Sequence, residues 1–286
     1  MLLSDRKPID QEIDVFGLTD IGKVRADNQD QFLICALQKR VEIHGTSLDD
    51  RERLARLASS RLGFLALVAD GVGGAAGGHE ASKTAIEGVL EYVGDSLQCF
   101  YTADPGHEES FLGALHESVM RSHGNIKAKA QEEPERRGMA TTLTMVMSVW
   151  PRAYVVQVGD SRCYQMQDGN LRRITRDQTL AQDLYDEGAL NTMEAEESPF
   201  AHMLMSAVGG SIADPVTTTM DMQRDDVLLI CTDGLTKHMA DDEIEERLGN
   251  TQSAEQTCRE LVETALARGG ADNVTAVVGR LRPPAA

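Results

Sequence analysis

Four aspartates stand at the ends of apolar runs. Asp70 follows Leu65-Ala-Leu-Val-Ala69 and precedes Gly71, and Asp233 follows Val227-Leu-Leu-Ile-Cys-Thr232 and precedes Gly234. Asp160 comes after Ala153-Tyr-Val-Val-Gln-Val158 and Gly159, while Asp272, with Asn273, directly precedes Val274-Thr-Ala-Val-Val278. Asp is a poor strand residue, and its charge is costly to desolvate unless donors or cations meet it. Acids delivered repeatedly to strand ends fit a sheet that presents carboxylates along one rim. Gathered there, they would repel one another and raise their own pKa values unless cations sat among them. Carboxylates, a backbone carbonyl and water suit hard ions such as Mg²⁺ or Mn²⁺, whereas zinc more often brings His or Cys at ligand spacing. The competing reading is four unrelated turn acids, because Asp-Gly after an apolar run is common turn chemistry.

Upstream, Arg25 and Asp30 lie in the polar turn Ile21 to Asp30. A guanidinium there could form a phosphate-binding fork beside a metal ligand, since Arg matches phosphate oxygens bidentately. A plain surface ion pair is the alternative. The glycines from Gly71 to Gly78 allow close backbone approach to an ion or phosphate, but they match neither a Walker A loop nor a dinucleotide-binding loop.

The elements that must position these residues are legible in outline. Apolar runs predict strands over Val15–Asp20, Gln31–Leu37, Leu65–Ala69, Thr141–Val149, Ala153–Val158, Arg162–Gln167, Leu171–Thr175, Val216–Met222, Val227–Thr232 and Asn273–Leu281. Asp168-Gly169-Asn170 reads as a hairpin turn. Amphipathic spacing predicts a helix carrying Ala81, Ala85, Ile86, Val89, Leu90, Val93 and Leu97, and another from Glu108 to Gln131. Two more are expected over Asp241–Leu248 and Ser253–Arg268, the last opened by a Ser253/Gln256 capping box and stopped by Gly269-Gly270. Leu54, Leu57 and Ala58 predict a short helix within a polar insertion over about 38–61. Helical pairs alternating with antiparallel strands point to sheets covered by helices.

Composition narrows the class. Neither a composition shift nor a Pro/Ser-rich linker divides the chain, so residues 1–286 are expected to form one domain. The formal charge of −18 disfavours nucleic acid or an anionic membrane as the main partner. No run approaches the length of a membrane span, and the N-terminal stretch lacks an apolar signal core, so a cytoplasmic protein is expected. Five cysteines without a Cys-x-x-Cys pair read as buried thiols in a reducing compartment.

Six short motifs, in order and spanning nearly the whole chain, resemble the metal-dependent serine/threonine protein phosphatases of type 2C, bacterial in type. They are Gly22-Lys-Val-Arg-Ala-Asp-Asn-Gln-Asp30, Val68-Ala-Asp-Gly-Val-Gly-Gly74, Met139-Ala-Thr-Thr-Leu143, Val158-Gly-Asp-Ser-Arg162, Cys231-Thr-Asp-Gly-Leu235 and Gly270-Ala-Asp-Asn-Val-Thr275. The resemblance implies an α+β fold, a four-layer α-β-β-α sandwich of two antiparallel sheets flanked by helices, with two Mg²⁺ or Mn²⁺ ions at one end. It makes Asp70 the carboxylate bridging both ions, the Gly71 carbonyl a ligand of one, and Asp233 and Asp272 ligands of the other. Asp30 becomes an outer support, Asp160 with Asp233 a third-ion site, and Arg25 the grip on the substrate phosphate. The implied reaction is hydrolysis of phosphoserine and phosphothreonine on proteins by in-line attack of a metal-bound water. Partners in signal transduction would then be phosphoproteins and a cognate serine/threonine kinase.

Three departures bear on that reading. Gln29 stands where some relatives have Glu, and Val72 and Ala75 stand where relatives have His. His79 is then a candidate proton donor or a structural residue at a helix start. Residues 177–210, with Glu194, Glu196 and Glu197, resemble the variable flap beside the active site, in which His202 replaces a common arginine. The alternatives are a catalytically impaired module that binds phosphoproteins, and a phosphatase for small metabolites.

Overall fold

Alternation along the strands sorts residues into layers. In the strand Ser59–Val72, Leu65, Leu67 and Ala69 pack toward helices, while Ala66 and Val68 face a second sheet. Asp70 keeps the parity of the second set, so the period of two carries it to the mouth of the inter-sheet layer. The computed structural model describes residues 6–40, 59–73, 75–96 and 108–283. Its strands are β1 Ile13–Asp20, β2 Asp30–Arg40, β3 Ser59–Val72, β4 Ala140–Thr141, β5 Leu143–Val149 and β6 Arg152–Val158, then β7 Arg162–Gln167, β8 Asn170–Arg173, β9 Val216–Asp221, β10 Val227–Cys231 and β11 Val274–Leu281. Helices are α1 Ala75–Ser96, α2 Glu108–Glu132, α3 Leu180–Asp186, α4 Thr192–Glu197, α5 Asp233–Thr236, α6 Asp241–Gly249 and α7 Ala254–Ala267.

One sheet has the order β1-β11-β10-β7-β8 and the other β2-β3-β5-β6-β9, with β4 attached to β3. Every strand pair is antiparallel. Three apolar layers follow. Helices α1 and α2 cover one sheet through Ala81, Ala85, Val89, Leu115, Val119 and Ile126, and α6 and α7 cover the other through Ile244, Leu248, Leu261 and Val262. Between the sheets lie Val68, Val146, Val155, Cys163, Ile230 and Val277. The expected α-β-β-α sandwich is the fold observed. Burying residues such as Leu65 and Leu67, both fully buried, stabilises it by about 2 kcal/mol per side chain.

Local readings needed correction in four places. The predicted strand Thr141–Val149 breaks at Thr142, whose backbone and hydroxyl turn to Asp70. The Ser253 capping box does not form; the Ala254 N–H at the start of α7 donates to Asp14 Oδ2 at 3.1 Å, and Gln256 reaches Glu260 instead. A carboxylate from β1 thus caps the helix, a partner that no local pattern reveals. The Gly71–Gly78 stretch is less of a turn than expected, because β3 runs through Val72 and Gly77 and Gly78 already lie in α1. The polar insertion is narrower than 38–61, since β2 extends to Arg40 and β3 starts at Ser59; the helix expected around Leu54, and also Leu97 and Cys99, lie outside the described residues.

Candidate metal centre

The inter-sheet layer changes chemistry as it nears one end of the sandwich. Apolar residues give way to hydroxyls: Thr142 and Ser161 share a hydrogen bond of 2.6 Å, and Thr144 donates to the Ser161 carbonyl at 2.8 Å. Thr275 pairs with Thr19 at 2.7 Å. Beyond them stand the acids. Asp30 opens β2 directly across from Asp70 in the antiparallel register, and Thr232 and Thr275 donate to Asp30 Oδ2 at 2.8 and 2.7 Å. Asp30 Oδ1 has no donor among the described residues. The adjoining Asp70 carboxylate can bond to it only if one of the two acids keeps a proton.

Asp70 is fixed through its backbone. Its N–H donates to Thr142 Oγ1 at 3.0 Å, and its carbonyl accepts from Thr142 N at 2.9 Å and Thr141 Oγ1 at 2.8 Å. Gly71 donates to the Gln29 carbonyl at 3.2 Å, and a Cβ there would lie 2.2 Å from the Gly78 carbonyl oxygen, so no side chain fits. Gly234 is required on the same ground: a Cβ would sit 1.9 Å from the Asn273 carbonyl oxygen. That close approach brings Asp233, the first residue of α5, beside Asp272.

Lys237, one turn after Asp233, joins these two acids, with Nζ at 2.7 Å from both Asp233 Oδ2 and Asp272 Oδ2. Arg25 Nε meets Asp272 Oδ1 at 2.7 Å and its Nη2 meets Oδ2 at 2.9 Å. The partner of Arg25 is therefore Asp272, not Asp30. Asn273 holds the loop that carries Arg25, accepting from Gln29 N at 2.9 Å and donating to the carbonyls of Ile21 and Asp27 at 2.9 and 3.0 Å. Asp160, His202 and Asp233 each offer a ligand atom within 4.8 Å of the others, and His202 Nδ1 lies 3.7 Å from Asp233 Oδ2.

Burial and mutual repulsion set the electrostatics. Desolvation, then the charge of Asp233, raises the Asp30 carboxyl to about 7 despite its two threonine donors. Asp70 is pushed well above the usual range by burial and then by Asp30, Asp233, Asp160 and Asp272. Asp160 moves the same way through burial, Asp233 and Asp177. Asp272 goes down instead, because hydrogen bonds from Arg25 and Lys237 outweigh its burial. Lys237 is lowered by burial but raised more strongly by Asp233 and Asp272, so it stays an ammonium. Asp233 Oδ1, like Asp30 Oδ1, is buried without a donor among the described residues. Crowded carboxylates with raised pKa values and orphaned oxygens are a donor set that hard divalent cations fit.

The sequence-predicted residues Arg25, Asp30, Asp70, Gly71, Asp160, Asp233 and Asp272 thus converge on one end of the sandwich. His79 stands apart from this acid network: its ring Nδ1 lies 3.2 Å from the Asn28 carbonyl, and it is exposed. Sequence reasoning missed Lys237, Asn273 and the threonines Thr142, Thr232 and Thr275. Four of the five lie inside the motifs it singled out, and Lys237 is betrayed only by its i,i+4 spacing from Asp233.

Residues 177–210 form a small cover beside the acids. They carry α3, with Thr179 accepting from Gln182 N, and α4, with a reciprocal Asn191/Glu194 capping box. Glu194 is therefore engaged at the start of α4. Arg176 ties α3 down through Asp183 and Asp186. A groove of about 830 Å³ runs between this cover and the centre, lined by Asp160, Asp233 and Lys237 of the centre and by Tyr185, Thr192, Ala195 and His202 of the cover.

Comparison with known proteins agrees with this arrangement. The family model described as Protein phosphatase 2C matches residues 38–277. The chain is 37% identical over 214 residues to the serine/threonine protein phosphatase PstP of Mycobacterium tuberculosis, an alignment covering 75% of this chain and 40% of that protein. The chain therefore spans less than half the length of that relative. It is 29% identical over 215 residues to a serine/threonine phosphatase of Listeria monocytogenes, covering 75% of this chain and 83% of the relative. The crystal structure of the PstP catalytic domain in complex with two manganese ions superimposes with a TM-score of 0.73 at 31% identity, covering 94% of this chain and 98% of that one. With six motifs in order, the sandwich they fold into and the acids they bring together, the chain belongs to the protein phosphatase 2C family.

Proposed function

We propose that the chain is a metal-dependent phosphatase that hydrolyses phosphoserine and phosphothreonine on proteins. The observation that carries this reading is the convergence of Asp30, Asp70, Asp160, Asp233 and Asp272 on one rim, with two buried oxygens lacking donors among the described residues. Asp70 with the Gly71 carbonyl, Asp233 and Asp272 would hold two Mg²⁺ or Mn²⁺ ions, with Asp30 behind them and Asp160 with Asp233 at a third position. Bound there, hard divalent ions supply Lewis-acid stabilisation of phosphoryl charge and activation of water for in-line attack.

The rest falls to side chains of this chain. Arg25 is anchored on Asp272 and its side chain is 57% exposed, so the remaining donors of its fork can take phosphoryl oxygens. Asn273 keeps the Arg25 loop in register, and Thr142 keeps Asp70 in register. Thr232 and Thr275 hold the Asp30 carboxylate toward the centre. Gln29, whose replacement of Glu motivates the binding-only alternative, ties the loop to its neighbours through its backbone: its N–H donates to Asn273, and its carbonyl accepts from Gly71 N and Ser82 Oγ at 2.6 Å.

The finer reading is a signalling enzyme that acts in the cytoplasm against a cognate serine/threonine kinase and its substrates. No described helix is long and apolar enough to cross a membrane. The test is phosphate release from a phosphothreonine peptide with Mn²⁺, with Mg²⁺ and with chelator, beside a panel of small phosphorylated metabolites. Metal-dependent release from the peptide supports the reading. A strong preference for the metabolites, or no release at saturating metal, overturns it.

A further inference from the structure

Resting on the metal-dependent reading of the site, we infer that the Lys237 ammonium is a built-in competitor for the divalent ion held between Asp233 and Asp272. The centre is unequal in its halves. At the Asp30–Asp70 side the protein offers hydroxyls and other acids: Thr232 and Thr275 reach Asp30, and Asp70 is surrounded by Asp30, Asp233, Asp160 and Asp272. At the Asp233–Asp272 side it offers a cation of its own. Lys237 Nζ lies at 2.7 Å from an oxygen of each acid, its side chain only 22% exposed, and its position at the C-cap of α5, four residues after Asp233, fixes its reach.

Asp272 has both oxygens engaged by protein cations, Oδ1 by Arg25 and Oδ2 by Lys237 and Arg25. A dication using Asp233 and Asp272 together would meet the ammonium at contact distance, where like charges repel strongly in a partly buried site. Loading is therefore an exchange: the ion enters as Lys237 leaves the shared oxygens. The ammonium balances these acids in the metal-free protein and subtracts from affinity for the ion that replaces it. The Asp70 side, which holds no such lysine among the described residues, takes its ion without that exchange. Lys237 acts on ion loading, and nothing in this role requires it to touch the substrate.

Calorimetric titration with Mn²⁺, without substrate, tests this on wild type, Lys237→Met and Lys237→Gln, with Lys83→Gln as a control that removes an exposed lysine elsewhere. Both Lys237 variants are expected to tighten the weaker Mn²⁺ site roughly ten-fold, the worth of about one charge pair, with the tighter site and the control unchanged. The metal-free melting temperature falls in both Lys237 variants and the gain on adding Mn²⁺ grows, because the acids lose their resident cation. Unchanged or weakened affinity at the weaker site overturns the inference. Tightening in a protein that releases no phosphate from peptides would sustain the inference while removing the phosphatase reading, and a wild type that binds no Mn²⁺ would remove both.

Discussion

Glu12 and Asp30 are both nearly inaccessible acids, 3% and 1% exposed, at opposite ends of the sandwich, and they titrate in opposite directions. Glu12 lies just before β1, where the chain ends of the first sheet gather. Its carboxylate takes Arg6 on both oxygens, Arg224 Nη1 at 2.9 Å and Ile9 N at 3.0 Å. The Arg6 hydrogen bonds, with Arg224 and against the burial, hold it at about 2. Asp30 receives two neutral hydroxyls on one oxygen and, among the described residues, none on the other, and it faces more acids; burial and the Asp233 charge push it to about 7. Hydroxyls orient a carboxylate but bring no charge to balance it. A buried acid that the chain neutralises itself is a clamp, and one left among other acids is a place for an external cation.

The largest effect expected from breaking this contrast is at the acid rim. Asp233→Asn should lower phosphopeptide turnover at saturating Mn²⁺ by at least about 10³-fold, since a neutral amide there weakens both ion loading and transition-state charge stabilisation. Steady-state kinetics beside a circular dichroism check of folding reads it. At the other end, Glu12→Ala should cost roughly 3 kcal/mol of stability, because it leaves two guanidinium groups without their buried partner. Chemical denaturation should show that loss, while turnover at a permissive temperature stays near wild type.

The same clamp has a pH signature. Folding lowers the Glu12 carboxyl from its ordinary 4.5 to about 2, so the unfolded chain takes up this proton first as pH falls. Its stabilisation is complete above about pH 4.5 and is lost as pH drops through about 2. Glu12→Gln should remove that part of the acid dependence of stability, and an unaltered acid limb would contradict the clamp. Arg25→Ala should lower kcat/KM roughly 10²-fold, with Arg25→Lys restoring only a fraction, because an ammonium cannot reproduce the fork. The smallest change is expected from His79→Ala, which removes an exposed contact with a loop carbonyl and should leave turnover within about two-fold.

The strands, helices and strand-end acids were legible in the sequence because they obey short periods, whereas the four-layer arrangement came from the family resemblance. Alternation along β3 and β10 marks which residues face the other sheet, and an Asp that interrupts an apolar run at a strand end stands out against that period. What stayed hidden depends on contacts far apart in the chain. Asp14 capping α7 spans 240 residues, the Arg25–Asp272 pair spans 247, and the Glu12–Arg224 pair spans 212. The latching role of Asn273 likewise appears only when the loop around Arg25 folds back onto it. Helices α3 and α4 escaped because each is short and mostly polar, so capping by Thr179 and Asn191 defines them more than any apolar stripe.

The central claim is that the acid rim, and not the Glu12 clamp, is built to take divalent cations. Isothermal titration of Mn²⁺ into wild type, Asp70→Asn and Glu12→Gln tests it most directly, with the number of ions bound as the readout. The account predicts at least two ions for wild type and for Glu12→Gln, and fewer for Asp70→Asn. Equal numbers in wild type and Asp70→Asn, or no binding to wild type, would contradict it.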